Sequence, residues 1–109
     1  MRHRRFLIST LLADELAIPS VGGDLLVAAH DGSDDVDWEL VHRSSEVVRL
    51  EPAPYRLRME GIEGVFRGPA VLVRSDGRSH VFRGAGPLVG FDGHFDTGAI
   101  PDTERDSRG

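Results

Sequence analysis

The chain predicts a mainly β fold, a small barrel or sandwich of roughly seven to nine short antiparallel strands with one N-terminal helix. Three observations lead there. From Gly64 to Ile100, short apolar runs are cut at regular intervals by Gly, Pro and Asp-Gly. Within that stretch Val71 to Phe82 reads as two strands around Asp76-Gly77, a pair that accepts the positive φ of a two-residue hairpin turn. Finally, 109 residues without a single Cys make one domain and one core, with no disulfide or thiolate metal site.

The elements follow in order. Residues 1–5 form a basic arm. Residues 6–18 fit a helix over a sheet or across a barrel end, because Leu7, Ile8, Leu11, Leu12 and Leu16 follow the i, i+3, i+4 spacing of one apolar stripe. Pro19 stops it. Asp24–His30 reads as a strand ended by Asp31-Gly32. In Val36–His42, residues Val36, Trp38 and Leu40 point one way and Asp37 and Glu39 the other. Ser45–Glu51 is a third strand, halted by Pro52-Ala53-Pro54. Tyr55, Leu57 and Met59 then alternate with Arg56, Arg58 and Glu60. Gly64–Arg67, Ala70–Arg74, Ser79–Arg83, Leu88–Phe91 and His94–Ile100 complete the single domain over residues 6–100. Residues 101–109 lack apolar side chains and read as a disordered acidic tail.

Composition narrows the setting. All 13 basic side chains are Arg, and Lys, Asn and Gln are absent, the bias expected of a GC-rich bacterial or phage genome. Arg2, Arg4 and Arg5 before an apolar run imitate a signal peptide, but Asp14 and Glu15 end the run and no small-x-small site follows closely. No apolar stretch approaches membrane-spanning length, so a soluble, cytoplasmic protein is expected. Charge is segregated along the chain. Residues 6–42 hold eight acids and no Arg, whereas residues 43–83 hold eight Arg against five acids. Such blocks form either two solvated faces or two contact surfaces, with Asp34, Asp35 and Asp37 opposing Arg56, Arg58 and Arg74.

Candidate chemistry is sparse. On a strand Asp92, His94 and Asp96 share one face, a pattern that suits a divalent metal or a histidine base oriented by an acid. Two-residue spacing is also what a half-exposed strand gives with Phe95 in the core. His80 and His30 are the histidines that folding could bring to His94. Asp31, Asp34, Asp35, Asp37 and Glu39 fail the calcium-loop register, because Gly32 is misplaced. No nucleophile elbow, phosphate loop or dinucleotide glycine pattern occurs. Arg56, Arg58, Arg67, Arg74, Arg78 and Arg83 could line a nucleic-acid groove. However, Tyr55, Phe66 and Phe82 read as core-facing and the net charge of −5 opposes phosphate binding.

Phe66-Arg67-Gly68-Pro69-Ala70-Val71-Leu72-Val73, then Asp76-Gly77-Arg78, then Asp92-Gly93-His94-Phe95 with Gly98 and Ile100, resembles an uncharacterised family of small actinobacterial domains. Some members are attached to flavin-dependent monooxygenases. The resemblance covers about a third of the chain, and Asp96-Thr97 stand where the family usually places an aromatic. It implies a bacterial β-rich accessory domain and carries over no catalytic residue.

The function expected is therefore a non-catalytic binding or assembly module without a cofactor. It would engage a protein partner, further copies of itself in a homo-oligomer, or a small apolar ligand inside the barrel, but neither nucleic acid nor a membrane. The alternative is a small hydrolase or isomerase centred on His94, with Asp96 and His80 assisting and Asp92, His94 and Asp96 as candidate metal ligands.

Overall fold

The computed structural model describes residues 2–30, 32, 35–93 and 95. These form eight antiparallel strands in one sheet: β1 (Arg2–Ile8), β2 (Thr10–Ala13), β3 (Leu16–Ile18), β4 (Gly22–Ala29), β5 (Val36–Arg43), β6 (Pro54–Gly61), β7 (Gly64–Ser75) and β8 (Ser79–Gly84). Their order is β1-β4-β5-β8-β7-β6-β2-β3. Only Ser9 separates β1 from β2, and these two lie towards opposite ends of that order. The sheet therefore closes on itself through one bent strand, which pairs with β4 along β1 and with β6 along β2. At the seam a Cβ on Gly61 would stand 2.1 Å from the Leu7 carbonyl oxygen, so this approach of β6 to β1 requires glycine.

Alternation fixes the interior. Phe6, Ile8, Leu11 and Ala13 of the bent strand point inward, with Leu25, Val27 and Ala29 from β4 and Trp38 and Leu40 from β5. Leu57, Met59, Phe66, Ala70, Leu72 and Phe82 fill the rest. At one end Trp38 lies in a slot left by two glycines, where a Cβ on Gly68 or Gly84 would come within 2.7 or 2.4 Å of its ring. Its indole N–H donates to the Gly86 carbonyl at 2.9 Å.

The helix expected over residues 6–18 is not there. Residues 6–18 are the end of β1, then β2, a turn and β3. Inward residues run 6, 8, 11, 13, because Ser9 and Thr10 both face outward where the strand bends. A period of two with one slip of phase creates the Ile8–Leu11 interval, which imitates helical spacing. Leu7 and Leu16, two members of the supposed stripe, are exposed. The turn is Asp14-Glu15, with φ of 50° and 69°, the pair of positive values a two-residue hairpin needs.

Other boundaries shift for physical reasons. The basic arm is the start of β1, paired with residues 26–29 of β4. Residues 45–51 form no strand; Ser45 and Val48 N–H groups donate to Pro19 and Gly77 carbonyls, so the segment crosses the end of the closed sheet. Gly64–Arg67 and Ala70–Arg74 are one strand running through Pro69. Arg67 N–H points away from β6 to Val89, so the Pro69 nitrogen two residues on faces the same side, where it interrupts no β6 ladder bond. Residues 88–91 contribute a single bridge, Val89 to Arg67. The β7–β8 hairpin is present, but Asp76 has no positive φ. Gly77 takes that conformation at φ 97°, while the Asp76 carboxylate accepts from Arg78 and Ser79 N–H at 2.9 and 2.7 Å. Those bonds hold its pKa below the usual carboxylate range. Residues 96–109, with His94, lie outside the described part, so the last expected strand and the tail are not addressed.

Glu15 occupies a left-handed conformation that glycine adopts freely. Glu15→Gly is expected to raise unfolding free energy by about 0.5–1 kcal/mol in urea titration. Gly84→Ala pushes a methyl group into the Trp38 ring and is expected to cost about 1–3 kcal/mol in the same titration.

Candidate functional site

Two places concentrate polar chemistry. The first is the outer surface of β2, β6 and β7. In the β6–β7 register Arg58 stands directly opposite Arg67, and Arg56 opposes Pro69, diagonal to Arg67. Three guanidinium groups thus rise from one patch of sheet, although like charges in opposed positions are unfavourable by themselves. Arg58 Nε donates to Glu60 at 2.8 Å. Arg56 and Arg67 side chains make no hydrogen bond or ion pair with any described residue. Between them runs a groove of about 680 Å³ with an apolar floor of Leu12, Pro69, Pro87 and Val89 and with Asp14 and Glu15 at its rim. The Asp14 carboxylate accepts the Arg56 backbone N–H at 2.8 Å and ties the rim to β6.

The second is buried at the end of the closed sheet opposite Trp38. His42 continues the inward series of β5 and His80 that of β8; they are register partners with no solvent exposure. Their rings stack 5.8 Å apart at 22°. Ser44 Oγ donates to the Glu46 carbonyl at 2.7 Å and so is free to accept from His80 Nε2–H at 3.2 Å. Ser75 then donates to His80 Nδ1 at 2.8 Å and accepts from Gly77 N–H. Two extra residues on the β3–β4 side of its pairing with the bent strand bring Ser20 over His42. Ser20 donates to the Ile18 carbonyl at 2.9 Å and accepts from His42 Nε2–H at 2.8 Å. His42 Nδ1 is left as a buried bare acceptor among the described residues.

This network suits two neutral imidazoles. Protonating His42 would place an N–H at Nδ1 with nothing to receive it, in a dry site beside a second histidine. Burial first, then His80 and Arg43, bring its pKa down from 6.5 to about 4. Burial also lowers that of His80, against the opposing pull of Asp76.

The expected site residues are dispersed. His80 is sealed in the core, at the far end of β8 from Gly84, whereas Asp92 lies with Asp35, Asp37, Trp38 and Gly84 around a groove at the Trp38 end. His30 Nε2 is 3.1 Å from Asp37 Oδ2 on open surface. No group of His, Asp or Glu that could hold a metal occurs among the described residues, while His94, Asp96 and Asp34 lie outside them. Arg56 and Arg58 share the groove; Arg74 follows the bulge in β7, away from it. Sequence reasoning overlooked His42, although the Val36, Trp38, Leu40 alternation extends to it.

No family model, curated protein or solved structure matches the chain. Among the described residues no helix is long and apolar enough to cross a membrane.

A histidine with a depressed folded-state pKa stabilises the fold fully above its unfolded value of 6.5, and the contribution disappears as pH falls through about 4. Unfolding free energy is therefore expected to drop by on the order of 2–3 kcal/mol between about pH 7 and about pH 4. His42→Leu leaves Ser20 bonded to Ile18 and should flatten that limb. An equally steep limb in the variant, by urea titration at both pH values, would assign it elsewhere.

Proposed function

We propose that the chain is a non-catalytic binding module, acting in the bacterial cytoplasm, whose working surface is the arginine face of β6 and β7 and whose ligand is a carboxylate-bearing polypeptide. The carrying observation is the set Arg56, Arg58 and Arg67, clustered by strand register with two members lacking any described counter-charge. Arg forks pair with carboxylates in bidentate geometry, and the apolar floor of the groove accepts the stems between them.

Other classes fit less well. The interior is occupied by core side chains, which leaves an apolar ligand little room inside. Phe6, Trp38, Phe66 and Phe82 are buried, so none of them offers a base-stacking platform beside the arginines. A histidine-dependent hydrolase would need an accessible imidazole, and His42 and His80 are both sealed. The resemblance to actinobacterial accessory domains agrees with a partner-binding role.

The test is fluorescence anisotropy with a labelled peptide of alternating Glu and Ser, against the protein and Arg56→Glu/Arg58→Glu. Binding should weaken at least about tenfold in the variant and fall with added salt. Unchanged affinity would remove the arginine face from consideration.

A further inference from the structure

We propose that the protein assembles head to tail with copies of itself, the acidic outer side of β5 on one copy lying against the arginine face of β6 and β7 on the next. This rests on the arginine face being a binding surface and names its occupant.

The topology supplies the first argument. Counted round the closed sheet from β5, the path runs through β8 and β7 to β6 in one direction. In the other it runs through β4 and the bent β1–β2 strand to β6. β6 is three places away both ways, so the outer faces of β5 and β6 look to opposite sides of the molecule.

Spacing supplies the second. Asp35, Asp37 and Glu39 lead into and follow β5 at every second residue, and Asp37 and Glu39 alternate with the inward Trp38 and Leu40. Arg56 and Arg58 alternate in the same way with the inward Leu57 and Met59 on β6. Alternate residues of an extended strand repeat about every 6.6–6.8 Å, so the two ladders share one repeat and meet charge to charge.

Charge supplies the third. Asp35 and Asp37 are exposed, and the ion pair the structure shows for Asp37 is with His30 rather than an arginine. Each face also carries one opposite charge, Arg83 across from Glu39 and Glu60 beside Arg58. A slipped register would bring like charges together, which penalises it. Because the two faces are opposed, a two-fold axis cannot join acid to base at both of them in one pair. Each contact leaves one acidic and one arginine face open, and the product is a ring or a filament.

The experiment is sedimentation velocity of the full chain at several concentrations, in low and high salt. Wild type should grow beyond a dimer at low salt and dissociate at high salt. Arg56→Gln/Arg58→Gln and Asp37→Asn/Glu39→Gln, each shown to be folded by circular dichroism, should be monomers alone. Mixed in equal amounts they should form a species of two chains and stop, since each retains one native face. A monomeric wild type, a dimer indifferent to either variant, or a mixture that fails to pair would overturn the proposal. If wild type is monomeric yet binds the acidic peptide through Arg56 and Arg58, self-assembly falls and the binding surface stands. If it does neither, both fall.

Discussion

Closure through the bent β1–β2 strand is the constraint on which the rest depends. One chain segment supplies a partner to β4 and, past Ser9, to β6. Without that double use the remaining strands would be an open sheet with an apolar face. The bend works because Ser9 and Thr10 both turn outward, which moves the inward phase from even to odd positions. Ile8 and Leu11 then enter the same core. It also works because Gly61 has no side chain where β6 passes the Leu7 carbonyl.

The two ends of the closed sheet are finished by different physics. At one end Trp38 fills a glycine-walled slot and satisfies its indole N–H on Gly86. At the other, His42 and His80 are held by Ser20, Ser44 and Ser75, with the 44–53 segment laid across them. Buried polar groups are costly unless bonded, and here all ring nitrogens but His42 Nδ1 find a described partner. The apolar end tolerates pH; the polar end does not.

Much of the fold was legible in the residues. The β class, the β7–β8 hairpin, and the inward sense of Trp38, Leu40, Phe66 and Phe82 follow from period-two alternation and Asp-Gly. The helix misreading arose because a phase slip in a strand produces helical intervals over a short window, and no local residue distinguishes the two. What would have separated them is Asp14-Glu15 read as a turn, but neither residue is glycine. The site was partly legible. Arg56 and Arg58 are marked by alternation, whereas their pairing with Arg67 depends on the β6–β7 register, which the Gly61-Ile62-Glu63-Gly64 connection sets. Burial of His80 was implicit in Phe82 two residues later, and the serines that satisfy it come from distant segments.

The shared strand also sets an order of events during folding. β2 meets β3 within a few residues, but its other neighbour, β6, lies more than forty residues further along the chain. Hairpins β2–β3, β6–β7 and β7–β8 can each form from local contacts, whereas the seam at Gly61 joins only when both halves are in place. Loop closure of that length carries an entropic cost before any contact compensates it, so sealing the sheet is the slow step. Until then the inward rows of Leu11 and Met59 remain open to water, and to other unfinished chains.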